Sequence, residues 1–286
     1  VVHLMMLLHS AISAGTYLAA KRALGELSPF EVALARFTLA GVVFAGLVLH
    51  RRVRVSRGDL LGLGVLGFVA VPLNQGFFLV GLAWSTPGHA ALLYALTPVF
   101  VFLLARLRLG ERATPLKVGG IALAFAGTLV VLLERGALGL ADARRMLLGD
   151  LLILGAVLSW AVVAVGGKVY AERYGAVAST GVAITIGTVL YLPLGLLLSD
   201  PGHFQALSAG GWASLGYLVL LTSVAAYLIY YWALARTEAS RVAIWSNLQP
   251  VLTAGLAWAL YGDRLTGPFL AGGAMVLAGV VMTERS

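Results

Sequence analysis

Apolar residues fall along this chain in long blocks separated by short polar punctuation. Ten such blocks run roughly over 3–21, 30–49, 59–82, 87–107, 115–134, 148–168, 176–198, 211–235, 240–261 and 267–283. A helix crossing about 30 Å of hydrocarbon needs about 20 mostly apolar residues, and the blocks are near that length. Between them lie segments such as Arg51-Arg52-Val53-Arg54-Val55-Ser56-Arg57 and Asp200-Pro201-Gly202-His203, with the faintest boundary, Ala83-Trp84-Ser85-Thr86, between blocks three and four. Lipid offers backbone groups no partner, so the blocks are predicted to be helices and not strands. The expectation is an all-α membrane protein with ten transmembrane helices.

Composition agrees. Of 286 residues 60% are apolar and only 11% charged, against roughly 45–50% and about 25% in soluble domains. Mean hydropathy is +0.95, and the 35 glycines suit close approach of membrane helices. Soluble enzymes, secreted scaffolds and disordered regulators are set aside. Cysteine is absent, which removes disulfide frameworks, thiolate zinc sites and iron–sulfur clusters. The formal net charge of +8 would raise nucleic-acid binding in a soluble protein; here it fits basic residues gathered in cytoplasmic loops, and no nucleic-acid partner is expected. With an internal N-terminus, the inner segments hold thirteen Lys and Arg and the outer segments six, with Arg36 inside a span. That asymmetry predicts a multi-pass protein with both termini in the cytoplasm. The first residue, Val1, runs straight into an apolar stretch without the pattern of a cleavable signal peptide.

The chain also resembles itself. An offset of 152 residues places Leu82-Ala83 over Leu234-Ala235, Pro98-Val99 over Pro250-Val251, Leu104-Ala105 over Leu256-Ala257, and Gly110-Glu111-Arg112-Ala113-Thr114 over Gly262-Asp263-Arg264-Leu265-Thr266. Eleven of 33 positions agree without a gap. Shared Leu and Ala follow from composition, but a mid-span Pro followed at the same distance by a Gly-acid-Arg-x-Thr boundary does not. A second offset of 147 places Lys21 over Lys168. The predicted organisation is a first five-helix repeat over 1–134, a linker over 135–147 and a second five-helix repeat over 148–286. Five is odd, so the second repeat is inverted with respect to the first, the arrangement found in many secondary transporters with their site near the bilayer midplane.

These residues resemble the paired EamA-type domains of the drug/metabolite transporter superfamily. The likeness is carried by Leu82-Ala83, Pro98-Val99 and Leu109-Gly110-Glu111-Arg112, by the second copy ending Tyr261-Gly262-Asp263-Arg264-Leu265-Thr266, and by Ala19-Ala20-Lys21, Pro29, Ala35-Arg36-Phe37 and Trp160. It covers nearly the whole chain. The resemblance implies ten helices and export of amino acids or related small metabolites from a bacterial or archaeal inner membrane. Where the family often has Trp-Gly-Ser in the first span, this chain has Ser13-Ala14-Gly15, so its cavity wall differs there.

Polar side chains deep in a span are costly and are functional candidates by default. His9, Ser13 and Thr16 stand at i, i+4 and i+7, one stripe of a helix; Ser246, Gln249 and Thr253, at i, i+3 and i+7, form a like stripe in span nine, and Tyr94, Thr97 and Val101 hold the equivalent positions in span four. The stripes face a central cavity or serve as interhelical hydrogen bonds. Asn74 and Gln75 flank Pro72, and at least one is expected to point inward. Among the aromatics, Trp84 and Trp212 are expected interface anchors, whereas Trp160, Tyr227 and Tyr231 are candidates for the cavity. The candidate substrate-binding set is therefore His9, Ser13, Thr16, Asn74, Gln75, Tyr94, Thr97, Trp160, Tyr227, Tyr231, Ser246 and Gln249. Pro98 and Pro250 each remove an amide donor and would leave the carbonyls of Tyr94 and Ser246 free; with Arg36 they are candidate gating or hinge residues. Arg36 with Lys21 would form an outer basic gate, or else Arg36 snorkels or bonds to backbone carbonyls.

Asp and Glu, such as Glu31, Asp59, Glu111, Glu134, Asp150, Asp200 and Asp263, lie at or near span ends. The absence of an intramembrane carboxylate argues against a cationic-drug pump. His9, with His89 nearer the outer boundary, is the deep group that titrates near neutral pH and is the candidate for proton coupling. No phosphate-binding loop, His-Glu-x-x-His or nucleophile elbow occurs, and neither metal nor cofactor is expected. The reading is a secondary transporter exporting small neutral or zwitterionic metabolites, amino acids foremost, by alternating access. An exchanger of anionic phosphorylated metabolites is the alternative, followed by an intramembrane enzyme built on His9 with Ser10 or Ser13.

Overall fold

The structure, a computed structural model, describes residues 1–85, 90, 93–134, 143–252 and 267–286. His89, Thr253 and the second boundary motif, 262–266, lie outside the described residues. Among the described residues all regular structure is helical. Helix α1 is Val2–Ala23, α2 is Pro29–His50, α3 is Arg57–Trp84, α4 is Thr97–Leu109 and α5 is Pro115–Glu134. A stretch over Ala143–Leu197 is interrupted at Gly175 (φ 78°, ψ 169°), and its two arms, 143–174 and 176–197, are α6 and α7. The short α8 is Pro201–Gln205, α9 is Ala209–Leu234, α10 opens with Ala239–Ala243, and α11 is Gly267–Glu284. Helical residues thus occur in each of the ten predicted blocks. Five continuous stretches among the described residues are long and apolar enough to cross a bilayer: α1, α2, α3, the α6–α7 pair and α9.

The polarity is that of a protein dissolved in lipid. Leu61, Leu107 and Leu197 are about four-fifths exposed, whereas Arg36, Asn74, Gln75 and Asn247 are buried. The helices start where local chemistry asks for it. Ser28 accepts from the Glu31 amide, Glu31 Oε2 accepts from the Ser28 amide at 2.7 Å, and Pro29 fills the first turn, a reciprocal cap that satisfies two donors left open by helix geometry. The same carboxylate, through Oε1, accepts from the Asp200 amide and from His203 Nδ1 at 2.8 Å. The hydrogen bond and charge of Glu31 raise the pKa of His203 above its ordinary value.

Two helices widen their winding. In α3 residues Val69–Leu73 are π-helical around Pro72; proline has no N–H and its ring crowds the carbonyl four residues back, so a wider turn relieves both problems. In α9 residues Tyr217–Ala226 wind the same way, and they include the positions 152 residues beyond the first stretch. Nothing in the α9 sequence plays the part of Pro72.

Pro98 and Pro250 are not kinks inside continuous helices. Residues 95–96 form a turn and Pro98 lies in the first turn of α4; Ile244–Asn247 form a 3-10 turn and Pro250 lies just after helical winding resumes. Proline is at ease at a helix start, where its missing N–H has no intrahelical partner to lose. The chain has placed its irregular step before each proline, and Ser10 Oγ donates to the Trp245 carbonyl in that step at 2.9 Å.

Glycines set the closest contacts. A Cβ on Gly67 of α3 would stand 2.2 Å from the Ala183 carbonyl oxygen and one on Gly187 of α7 would stand 2.3 Å from the Gly67 carbonyl oxygen, so these backbones touch directly. Gly120 of α5 and Gly279 of α11 meet in the same manner, 2.7 and 2.5 Å from each other's carbonyl oxygens.

The bundle has two dissimilar ends with a shared device. At the end carrying the termini, His3 meets Glu284 at 3.2 Å, and Lys168 Nζ donates to the carbonyls of Leu234 and Thr237 at 2.9 and 2.7 Å. At the opposite end Lys21 Nζ donates to the carbonyls of Leu82 and Ser85 at 2.9 and 3.0 Å. The lysines are 147 residues apart and both acceptor pairs are 152 apart, the offsets at which the sequence matches itself. Each lysine satisfies orphan carbonyls where the helix ends, α3 in one case and α9 in the other.

Candidate functional site

A cavity of about 90 Å³ lies within the bundle, walled by α1, α2, α3, residues 94–97 at the start of α4, α6, α9 and α10. Every candidate substrate-binding residue except Tyr231 lies on its wall, and Arg36 lies there with them. Tyr231 points elsewhere: its ring packs where a Cβ on Gly167 of α6 would be, 2.8 Å away. Tyr227 and Tyr230 take the cavity positions on α9. Pro98 and Pro250 are not on the wall; they follow the irregular steps that place Thr97, Ser246 and Gln249 there. Tyr17, Phe78, Thr222, Ala226, Tyr230, Val242 and Ala243 complete the lining. Tyr17 follows Thr16 in the first-span stripe and Phe78 stands i+3 from Gln75, so helical periodicity could have reached both.

The polar wall is a set of crossed hydrogen bonds. On α1, His9 Nδ1 lies 3.1 Å from the Ala226 carbonyl; a carbonyl only accepts, so Nδ1 carries the proton and Nε2 is left to accept from Ser13 Oγ at 3.4 Å. Thr16 and Thr222 share a hydrogen bond of 2.9 Å between α1 and α9. Tyr17 donates to Gln249 Oε1 at 3.0 Å, joining α1 to α10.

Arg36 is the cation of the wall. Its Nε donates to Ser223 Oγ at 2.6 Å and one terminal nitrogen donates to Gln75 Oε1 at 2.9 Å. Gln75 in turn donates to Asn74 Oδ1 at 2.6 Å, and Asn74 donates to the Ala156 carbonyl at 2.7 Å and Ser159 Oγ at 3.1 Å. Three helices, α2, α3 and α6, are tied by this one chain, with Ser223 of α9 at its head. The guanidinium stands 4.9 Å from the centre of the Phe37 ring. The sequence reading set Arg36, inside a span, beside Lys21 as an outer basic gate; in the structure the two bond to different partners, Lys21 to the carbonyls at the end of α3 and Arg36 to Ser223 and Gln75.

Aromatic rings form the remaining wall in two groups. Tyr17, Phe78 and Tyr94 meet edge to face with centroids 5.7 to 6.1 Å apart. Trp160 lies 5.3 Å from both Tyr227 and Tyr230, and His9 lies 5.3 Å from Tyr230. Such faces accept flat or apolar groups and, through their negative quadrupole, cations. No carboxylate lines the cavity among the described residues, and no cluster of three or more metal-ligand side chains occurs among them.

An all-helical bundle with an apolar exterior and a polar and aromatic chamber between its helices has the build of a membrane transporter. The chain belongs to the EamA-like transporter family, whose model matches residues 1–133 and again 147–285. It is 32% identical over 285 residues to an uncharacterized transporter of Archaeoglobus fulgidus, covering 98% of this chain and 96% of that one. It is 29% identical over 257 residues, 89% of this chain and 83% of the other, to a protein of Streptantibioticus cattleyicolor named as a probable terminal-alkyne amino-acid exporter. A solved crystal structure shares the fold with a TM-score of 0.78 at 21% identity, covering 98% of this chain and 95% of that one.

Proposed function

We propose that this protein exports small neutral or zwitterionic metabolites, amino acids foremost, across a bacterial or archaeal inner membrane by alternating access. The observation that carries the reading is the makeup of the chamber wall: hydroxyls, amides, one guanidinium and two aromatic groups, with no carboxylate among the described lining residues. A chamber of that makeup suits a solute of little net charge. The relative named for amino-acid export supports the same class of cargo.

The proposed mechanism treats residues 1–134 and 148–286 as inverted repeats, with both termini cytoplasmic and the two halves rocking about the chamber. The lysine links at opposite ends, Lys21 to the end of α3 and Lys168 to the end of α9, support equivalent roles for the two halves. Hydroxyls and amides from α1, α3 and α10 would hold the polar groups of the cargo, while Trp160, Tyr227 and Tyr230 receive its side chain. His9, whose Nε2 is an acceptor, is the group through which a proton would couple.

Purified protein in liposomes should exchange labelled amino acids. Gln249→Ala and Trp160→Ala should each lower the exchange rate by about tenfold in protein that remains folded, the loss expected from one hydrogen bond or one stacking contact of about 1.4 kcal/mol. Exchange that is indifferent to both substitutions would place the cargo elsewhere.

A further inference from the structure

We infer that the pole of the cargo this chamber recognises is a carboxylate, gripped by Arg36, and that an ammonium group on the cargo is dispensable. The inference rests on the transport reading above and moves its recognition element from the whole zwitterion to the carboxylate, so that the cargo class becomes organic monocarboxylates, amino acids being one case.

The argument starts from the charge balance of the wall. Arg36 is 2% exposed, yet it pairs with no carboxylate among the described residues; its protein partners are a serine hydroxyl, a glutamine carbonyl and a ring face. Buried guanidinium groups are ordinarily matched by an anion, because neutral acceptors replace only part of the hydration they lose. Lys117, the other basic side chain buried to that degree among the described residues, has such company at 2.6 Å from Glu238 and 3.6 Å from Glu111, and the part-buried Lys168 lies 2.6 Å from Glu172. Arg36 alone among these three faces a chamber in place of an acid.

Its geometry is that of a held fork. Ser223 takes Nε and Gln75 takes one terminal nitrogen, and the Gln75–Asn74–Ser159 chain fixes the glutamine in turn. The guanidinium has five N–H donors in a fixed plane, and these bonds use two of them. The other terminal nitrogen has no acceptor among the described residues. Three N–H donors on the two terminal nitrogens are left over, and a carboxylate is the partner to which guanidinium is suited. Thr97 Oγ1, also on the wall, is buried without a hydrogen-bond partner among the described residues and is available to a second polar atom of the cargo. Nothing comparable awaits an ammonium group: the wall offers it ring faces but no acid.

The test compares four phenyl compounds on the purified full-length protein by thermal stabilisation and by competition for exchange in proteoliposomes. They are 3-phenylpropanoate, with the acid only; phenylalanine, with acid and ammonium; phenylalaninamide and 2-phenylethylamine, with the ammonium only. The two acids should bind at least about tenfold more tightly than the amide and the amine, the discrimination expected of a charge-assisted pair. Arg36→Gln should abolish that preference and Arg36→Lys should keep part of it. Should Arg36→Gln fail to fold, the four-compound comparison on the unaltered protein decides the matter alone. Equal binding of acids and amines, or an acid preference that survives in folded Arg36→Gln, overturns the inference while leaving transport of amino acids standing. Failure of all four compounds to bind or compete overturns the inference, and absence of exchange across a full amino-acid panel overturns the transport reading separately.

Discussion

Removal of the Glu111 carboxylate should unfasten the start of α10, and with it the segment that carries Ser246 and Gln249 to the chamber. Glu111 Oε1 accepts from the Ala239 amide at 2.7 Å, Oε2 accepts from Ser240 Oγ, and Lys117 Nζ stands 3.6 Å away with its second partner Glu238 at 2.6 Å. Ala239 and Ser240 are fully buried and Lys117 nearly so. In Glu111→Ala a backbone amide and a hydroxyl lose their acceptor, at about 1–3 kcal/mol each, and Lys117 keeps only the half-exposed Glu238. The expected loss is roughly 3–5 kcal/mol, the range seen when one partner of a buried pair is removed. Glu111→Gln retains one acceptor oxygen and surrenders the charge, so about 1.5–3 kcal/mol is expected. Reversible unfolding of the purified protein in mixed micelles, followed by tryptophan fluorescence, should rank wild type above Glu111→Gln and Glu111→Ala. Adding Lys117→Met to Glu111→Gln should cost less than the sum of the single changes, because both changes remove the same Glu111–Lys117 interaction. A Glu111→Ala protein within about 0.5 kcal/mol of wild type, the range of an ordinary surface substitution, would refute the reasoning.

Other expectations concern packing, the end links and the cargo wall. Gly67→Ala forces a methyl group to 2.2 Å from the Ala183 carbonyl oxygen and should destabilise by about 1–3 kcal/mol or more in the same assay, whereas Gly46→Ala, with nothing within 4 Å of its new Cβ, should be harmless. Lys21→Met and Lys168→Met each strip two carbonyls of an ammonium donor and should lower stability by similar amounts, about 1.5–3 kcal/mol each; a large cost at one end and none at the other would break the parallel. Tyr231→Phe should leave cargo competition in proteoliposomes unchanged, since that ring lies off the chamber wall.

The bundle and much of its chamber are legible in the sequence for definite reasons. In α1 the winding is regular, so His9, Ser13 and Thr16 at i, i+4 and i+7 stay on one face and reach the chamber together. In α9 the tyrosines follow the π-winding in a regular stretch, Tyr227–Leu234, where Tyr230 and Tyr231 stand at i+3 and i+4 on either side of Tyr227; spacing does not choose between them, and Tyr230 takes the wall while Tyr231 turns to Gly167. Proline identity signalled irregular backbone near 98 and 250, but where the irregularity falls depends on neighbours such as Ser10, which accommodates the Trp245 carbonyl from another helix. Arg36 was opaque for the same reason. Its acceptors are Gln75 and Ser223, 39 and 187 residues away, and no local pattern joins them.

Counterflow in proteoliposomes tests the central claim most directly. Vesicles holding purified protein and preloaded with an unlabelled amino acid should transiently concentrate the labelled one from outside, saturably, with competition by other amino acids and with no such signal in protein-free vesicles. Absence of counterflow for every amino acid in a full panel, from protein that is folded in the same vesicles, would contradict it.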